Sequence, residues 1–132
     1  MINKLNQFCK DTFVSLLGIE FTDTGEGYIE ARMPVDDKLQ PMGYLHGGAS
    51  LALAETVASG GSYLLIDREE CDVLGLQVSG NHVAVVNKGT LFARAEIIHK
   101  GNKTHVWDVK IKNEEDKLIS VARVTMMVVN KK

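Results

Sequence analysis

One stretch of this sequence is almost free of charge. Between Leu39 and Ile66 the only acidic residue is Glu55 and no lysine or arginine occurs, although charged residues make up 24% of the chain. The second part of the stretch, from Ala49 to Leu65, is rich in alanine and leucine and contains no proline. This pattern predicts a helix that is apolar nearly all round, and such a helix is buried on most of its sides. The rest of the chain therefore has to enclose it.

Length and charge narrow the class of protein. A chain of 132 residues corresponds to one domain, residues 1–132, which can bury a core without a disulfide or a structural metal. The formal net charge of -2 argues against a nucleic-acid partner, which usually requires a basic surface. No apolar run reaches the roughly 18 residues of a membrane span. The N-terminal residues do not resemble a signal peptide, so we expect no membrane partner and a cytoplasmic location.

The cysteines and histidines show no metal-binding pattern. Cys9 and Cys71 fit no metal or redox spacing, which predicts free thiols in a reducing cytoplasm. His82, His99 and His105 have no metal-ligand spacing with one another. We therefore expect no metal ion.

Periodicity predicts the elements around the central helix. Apolar residues from Ile2 to Leu17 recur at helical spacing, which predicts one amphipathic helix ended by Gly18. Tyr28 to Val35 alternates as a half-buried strand does, and Pro34 near its end indicates an edge or a strand terminus.

The second half of the chain is predicted to form strands. The first, Val73 to Val86, is expected to bend near Gly80 and to lead into a hairpin turn at Asn87-Lys88-Gly89. The later strands and their turns are Leu91–Ile98, the turn Lys100–Lys103, Thr104–Lys112, the turn Asn113–Asp116 and Leu118–Val129. Short connections are typical of antiparallel neighbours, so the fold class is α+β with a mainly antiparallel sheet around a central helix.

Glu55 is the first candidate for a functional group. A buried, unpaired carboxylate is costly, and it responds with a raised pKa or finds hydrogen-bond donors. Functional sites are where proteins most often tolerate this cost. The alternative is that Glu55 faces solvent or a subunit interface and only solubilises the helix. Ser59 lies one helical turn further on the same face.

The start of the helix is the second candidate. Gly47 and Gly48 lie where backbone N–H groups are free and the helix dipole is positive, which would suit a thioester carbonyl or a developing oxyanion. Glycines also make ordinary turns. Gly47 and Glu55 are about 12 Å apart along a helix, so either the two features are unrelated or a second chain supplies the carboxylate.

Two further polar residues precede the helix. His46 could act as a base, a ligand or a structural hydrogen-bonding group. Gln40 could donate its amide to a carbonyl or could simply be solvated.

These residues closely resemble a known motif. It consists of the run Gln-Pro-Met-Gly-Tyr-Leu-His-Gly-Gly-Ala from Gln40 to Ala49, then Leu53-Ala54-Glu55 and Ser59. The motif resembles that of the hotdog-fold acyl-CoA thioesterases, above all the 1,4-dihydroxy-2-naphthoyl-CoA hydrolases of menaquinone synthesis. The 4-hydroxybenzoyl-CoA (Arthrobacter-type) and phenylacetate-pathway thioesterases are similar. The resemblance spans nearly the whole chain and implies a hotdog fold, a curved antiparallel sheet wrapped around one long helix, with active sites at dimer interfaces.

The resemblance also implies roles for the catalytic residues. Glu55 takes the place of the carboxylate that attacks the thioester or activates water, and the Gly47 N–H polarises the carbonyl. Gln40 and His46 match residues that orient the thioester or the active-site loop, and Ser59 matches one that helps to hold the water or the carboxylate. The implied substrate- and CoA-binding residues are Gly48, Asn81, His82, Lys100, Gly101 and Lys103. Ala84 stands where some relatives carry a basic residue.

The function that follows is hydrolysis of an (aryl) acyl-CoA to acid and CoA, with no cofactor because CoA is part of the substrate. The implied assembly is a homodimer with shared active sites, arranged as a dimer-of-dimers tetramer. Two alternatives remain open, a hotdog hydratase or dehydratase and a non-catalytic acyl-CoA-binding module.

Overall fold

One long helix packs against a six-stranded sheet. The computed structural model describes residues 1–131. Its elements in chain order are α1 (Ile2–Phe8), α2 (Phe13–Leu16), β1 (Glu20–Gly25), β2 (Tyr28–Pro34), α3 (Gly47–Leu65), β3 (Cys71–His82), β4 (Thr90–Lys100), β5 (Thr104–Lys112) and β6 (Leu118–Asn130). The sheet is antiparallel and curves around α3, so the predicted fold class is confirmed.

The strand order differs from the succession of hairpins that the sequence predicts. The order is β1-β2-β4-β5-β6-β3, so the chain crosses from β3 at one edge to β4 in the interior. The predicted hairpin at Asn87-Lys88-Gly89 is therefore wrong. The Val35 N–H donates to the Gly89 carbonyl at 2.9 Å, which holds the crossing segment against the end of β2. Turn residues serve hairpins and other connections alike, and only the strand pairing distinguishes them.

The shape of β3 also differs from the prediction. The strand ends at His82 instead of continuing to Val86. Its register with β6 shifts between Gly75 and Gln77, whereas Gly80, the predicted bend, pairs in regular register. A bulge of this kind inserts one extra residue and bends the strand locally. The other predicted strands, β2 and β4 to β6, agree with the structure to within two residues.

The N-terminal segment forms two short helices where the sequence predicts one. Asp11 adopts a positive φ of 63°, which breaks the helical path. The Thr12 side chain then accepts from the Val14 N–H and caps α2 together with Ser15. Apolar spacing continues through the break, and for this reason periodicity alone does not reveal it.

Strand β1 is absent from the sequence prediction. Only Phe21 is fully buried in it, because it is an edge strand with one neighbour. An edge strand with a single buried side chain lacks the alternation by which strands are recognised. Pro34 ends β2, as predicted, although β2 itself is an inner strand.

The core lies between α3 and the concave face of the sheet. The largest fully buried side chains include Trp107, Ile29, Met33, Leu53, Leu91, Ile111 and Ile119. The helix begins at Gly47, two residues earlier than predicted, and its buried face runs through Leu53, Ala54, Val57 and Ala58. Within the protomer the opposite face of α3 is not enclosed, so the prediction of a helix buried on most sides holds only in part.

A buried polar cluster ties α3 to β5. The Trp107 Nε1–H donates to Ser62 Oγ at 2.9 Å, and Ser62 Oγ lies 2.7 Å from His105 Nδ1. Since the Ser62 oxygen accepts from the indole, its O–H is free to donate to Nδ1, which suits a neutral imidazole. Burial lowers the pKa of His105, and the charges of Lys100 and His99 lower it further.

We expect this cluster to make stability sensitive to mild acid. Because the folded-state pKa of His105 lies below its unfolded value of about 6.5, its contribution is complete above that pH. The contribution is lost as the pH falls from there through the folded-state pKa. We expect the Tm of the protein to decline with acidification over this window more steeply than that of His105→Asn. Asparagine places a non-titrating polar group where Nδ1 stands, and parallel Tm-against-pH curves would contradict the assignment.

Candidate active site

His46 occupies the N-cap of α3. Its backbone is extended, with φ −66° and ψ 130°, and its Nδ1 accepts from the Gly48 N–H at 2.8 Å. The His46 N–H donates to the Lys38 carbonyl at 2.8 Å, which anchors the preceding loop. One of the three roles considered for His46, that of a structural hydrogen-bonding group, is seen in the structure.

The cap leaves one backbone donor at the helix start without a partner. Gly48 donates to His46, whereas the Gly47 N–H makes no hydrogen bond within residues 1–131. Gly47 is the first residue of a 19-residue helix, so its N–H points along the positive end of the helix dipole. This donor is the one that an oxyanion could use.

Gln40 lies in the loop that leads to the helix. Its backbone N–H donates to the Tyr44 carbonyl at 2.7 Å, and its side-chain oxygen accepts from the Met42 N–H. The loop thereby occupies the acceptor end of the carboxamide and leaves the NH₂ group as a donor. Gln40 and Gly47 line the same cavity of about 340 Å³.

His82 closes this cavity from β3. Its Nδ1 lies 2.8 Å from Ser120 Oγ, and its ring packs on Gly47, where a Cβ atom would lie 2.6 Å from His82 Nε2. Asn81, the preceding residue, lines a different cavity with Asp108, since successive side chains of a strand point to opposite faces. The structure therefore brings His82 to the helix start and leaves Asn81 apart from it.

Glu55 is exposed in the protomer, so its predicted burial is wrong and the alternative of a solvent or interface position holds. The sheet covers the face of α3 that carries Leu53 and Val57, and Glu55 projects at the margin of that face, beside the edge strand β3. It forms no ion pair within the described part of the chain. Its side chain lines a second cavity, of about 560 Å³, together with Ser59.

Most of this second cavity is built from residues that sequence reasoning did not single out. Phe8 and Phe13 come from α1 and α2, and Tyr63 comes from α3. The Phe8 and Tyr63 rings stack with centroids 5.0 Å apart. The missed signal is Tyr63, which lies four residues after Ser59 and so extends the helix stripe of Glu55 and Ser59 by one more turn.

The two cavities are separate within one protomer, because no residue lines both. Gly47 and Glu55 lie on one continuous helix, about 12 Å apart along its axis. The candidate oxyanion donors and the candidate carboxylate thus belong to different halves of the protomer.

The β4–β5 hairpin carries the remaining site residues. The Gly101 N–H donates to the Thr104 carbonyl, and the Val128 N–H donates to that of Lys103, both at 2.8 Å. Lys100 and Lys103 are exposed. The neighbouring His105 contacts Ser62 near the C-terminal end of α3, so the hairpin lies at the opposite end of the helix from Gly47.

Residues 1–131 contain neither a metal-binding cluster nor a membrane-spanning helix. Across this range, no group of three or more His, Cys, Asp or Glu side chains could hold a metal ion. None of the described helices is both long enough and apolar enough to cross a membrane.

The fold and the site define a class of protein, a hotdog-fold domain with a polar helix start and a lone helical carboxylate. The family model of the thioesterase superfamily matches residues 42–120, and the chain belongs to this superfamily. It is therefore an enzyme that hydrolyses thioesters. The family and the enzyme class that the motif predicts are both confirmed.

Individual relatives support the same family. A 1,4-dihydroxy-2-naphthoyl-CoA hydrolase of Listeria monocytogenes is 41% identical over 88% of this chain and 94% of its own length. A mutant thioesterase from Pseudomonas aeruginosa, for which a crystal structure is known, is 40% identical in sequence to this chain. The match covers 98% of this chain and 94% of that chain, and the two structures superpose with a TM-score of 0.95. A thioesterase structure from Haemophilus influenzae is 45% identical over 98% of this chain and 91% of that one, with a TM-score of 0.93.

Proposed function

We propose that this thioesterase hydrolyses aryl acyl-CoA thioesters, with Glu55 as the reacting carboxylate. The observation that carries the proposal is the position of Glu55 and Ser59 on the wall of an apolar cavity. A carboxylate beside an apolar chamber is suited to act on a carbonyl whose acyl group fills the chamber.

Different groups are proposed to act on the oxygen and on the carbon of the substrate carbonyl. The Gly47 N–H and the Gln40 NH₂ group would donate to the thioester oxygen and stabilise the negative charge that develops there. Glu55 either attacks the carbonyl carbon or takes a proton from water that attacks it, while Ser59 holds that water or the carboxylate. In both cases the C–S bond breaks and CoA leaves as a thiolate that is protonated. When water attacks, this step releases the acid directly; when Glu55 attacks, it leaves a mixed anhydride between the acyl group and Glu55, which water then hydrolyses to release the acid and regenerate the carboxylate. Water is the only co-reactant, so no cofactor is required.

A homodimer would unite the two halves of the site. Because Gly47 and Glu55 line different cavities of one protomer, the carboxylate that serves the Gly47 donor would come from a second copy. Strand β3 is an edge strand of the sheet, and its Leu74 and Leu76 are more than half exposed. Unpaired edges of this kind pair readily with another chain. A dimer-of-dimers tetramer is the assembly that we propose.

The cavity beside Glu55 is proposed to receive the acyl group. Its walls include Phe8, Phe13, Tyr63 and Leu74, and its volume of about 560 Å³ lies in the range of small-molecule sites. Aromatic walls favour a flat ring. The Listeria relative is named for 1,4-dihydroxy-2-naphthoyl-CoA, so this ester, an intermediate of menaquinone synthesis, is the first candidate.

The CoA portion is proposed to extend away from the reacting carbonyl. Lys100 and Lys103 are exposed cations suited to phosphate, and Gly101 allows the turn between them. Gly48, Asn81 and His82 are proposed to contact the pantetheine or the loop around it. We propose a cytoplasmic location, where acyl-CoA is available.

A panel of CoA esters tests this function by measuring thiol release. We expect kcat/KM for 1,4-dihydroxy-2-naphthoyl-CoA and benzoyl-CoA to exceed that for acetyl-CoA by at least 10-fold, about the effect of ~1.4 kcal/mol of additional apolar contact. Phe8→Ala, which removes one aromatic wall without touching Glu55, is expected to reduce this preference. Equal rates for aryl and acetyl esters would overturn the aryl assignment.

Because the chain belongs to the thioesterase superfamily, neither of the two alternatives, a hydratase or dehydratase and a non-catalytic acyl-CoA-binding module, is retained.

A further inference from the structure

The carboxylate of Glu55 lies against a glycine in the neighbouring strand. A Cβ atom placed on Gly75 would overlap Glu55 Oε2 and would lie 3.0 Å from Glu55 Cδ. Gly75 also borders the β3 bulge, where the register with β6 shifts before Gln77. The acidic side chain therefore reaches across from α3 and rests in the space that a side chain at position 75 would fill.

The backbone conformation of Gly75 does not itself require a glycine. Gly75 is not among the residues with positive φ, so its conformation is one that alanine can adopt. Glycine in a strand interior weakens the strand, and it commonly marks a bulge or a close approach. Here the close approach is made by the terminal atoms of Glu55, and no backbone atom is among the nearest neighbours of the position that a Cβ would take.

We infer that Gly75 is a positioning residue that sets the location of the Glu55 carboxylate for thioester hydrolysis; this inference rests on the proposed function of Glu55. A glutamate has several rotamers, and within residues 1–131 no ion pair selects one of them. Because Gly75 has no side chain, the carboxylate can lie beside the strand. Glu55 and the neighbouring Leu74 line the same cavity there. Displacing a reacting group by about 1 Å can cost 10²-fold in rate.

The decisive variant is Gly75→Ala. Its added methyl group overlaps only the flexible end of a side chain, so we expect Glu55 to swing away and the fold to persist with an unchanged Tm. We expect kcat on an aryl-CoA ester to fall by about 10²-fold, with KM changed by less than 3-fold. A merely structural role for Gly75 would not produce this separation of kcat from KM.

A double-mutant cycle with Glu55→Ala isolates the coupling between the two residues. Once the carboxylate is gone there is nothing left to displace, so Gly75→Ala is expected to leave the residual rate of Glu55→Ala unchanged. A further drop in that background would overturn the inference, as would wild-type kcat in Gly75→Ala alone. Wild-type kcat in Glu55→Ala would instead overturn the proposed function itself.

Gly80→Ala is the matched control in the same strand. Its methyl group would meet Leu51 and the Val121 carbonyl, both at 3.0 Å, and neither belongs to the site. We expect this variant to lower the Tm with little change in kcat. If Gly75→Ala also lowers the Tm, the double variant Gly75→Ala/Glu55→Ala shows whether the clash with Glu55 is the cause. Once the Glu55 side chain is removed, the Tm should equal that of Glu55→Ala alone. A loss of stability that persists would show that the glycine serves the strand and not the carboxylate.

Discussion

Replacing Glu55 with alanine is expected to lower kcat for aryl-CoA hydrolysis by about 10²–10⁴-fold, the contribution typical of a positioned acid–base group. The variant removes the one carboxylate of the helix stripe that lines the cavity proposed to receive the acyl group. Thiol release under saturating substrate measures the effect. KM is expected to change little, because the carboxylate acts on the transition state more than on the bound substrate.

Stability should be unaffected by the same change. Glu55 is exposed and forms no ion pair within residues 1–131, and such surface substitutions usually stay within about 0.5 kcal/mol. Alanine is also the better helix former. Glu69→Ala, which removes an exposed carboxylate beyond the end of α3, is the control and should retain full activity. Wild-type kcat in Glu55→Ala would show that the catalytic group lies elsewhere.

The second large effect is expected from Gly47→Pro, which deletes the backbone donor proposed to bind the oxyanion. Loss of one such donor typically lowers kcat by about 10²–10³-fold. Proline is well tolerated at the first position of a helix, where its missing N–H breaks no helical hydrogen bond. The residue before it, His46, already has the extended conformation, φ −66° and ψ 130°, that precedes proline.

Gly47→Ala distinguishes the effect of losing the N–H donor from the effect of adding a side chain at position 47. Both variants introduce a Cβ atom that lies 2.6 Å from His82 Nε2, but only alanine retains the N–H. We expect Gly47→Pro to have the lower kcat by at least about 10-fold, and equal rates would contradict the role of the donor. Mixing Gly47→Pro with Glu55→Ala protomers should restore activity if the two groups come from different chains, since a mixed dimer has one intact site.

Much of the fold follows from local patterns. The alternation of Leu91, Ala93 and Ala95 predicts β4, and all three are buried in the structure. Local patterns do not predict which strands pair when the two strands are far apart in the sequence. The connection after β3 has turn residues at Lys88 and Gly89, yet β3 pairs with β6, and no local sequence feature specifies that partner.

The candidate site, like the fold, is only partly predictable from the sequence. The run from Gln40 to Gly48 and the helical position of Glu55 are visible in the sequence, because a motif is contiguous and helical spacing is regular. The cavity beside Glu55 is not visible in the sequence. Phe8 and Tyr63 are far apart in the chain and stack at 5.0 Å only because α1 folds back over α3.

The nearly uncharged stretch from Leu39 to Ile66 is enough to require a central helix with a single acid, since an apolar helix must be enclosed and only one side chain in it can carry charge. Which side of that helix remains open depends on contacts between distant segments of the chain. The sheet curls around the face of Leu53 and Val57 and leaves Glu55 beside Gly75, at the edge strand. Helical periodicity defines the faces of a helix, but long-range strand pairing determines which face is covered.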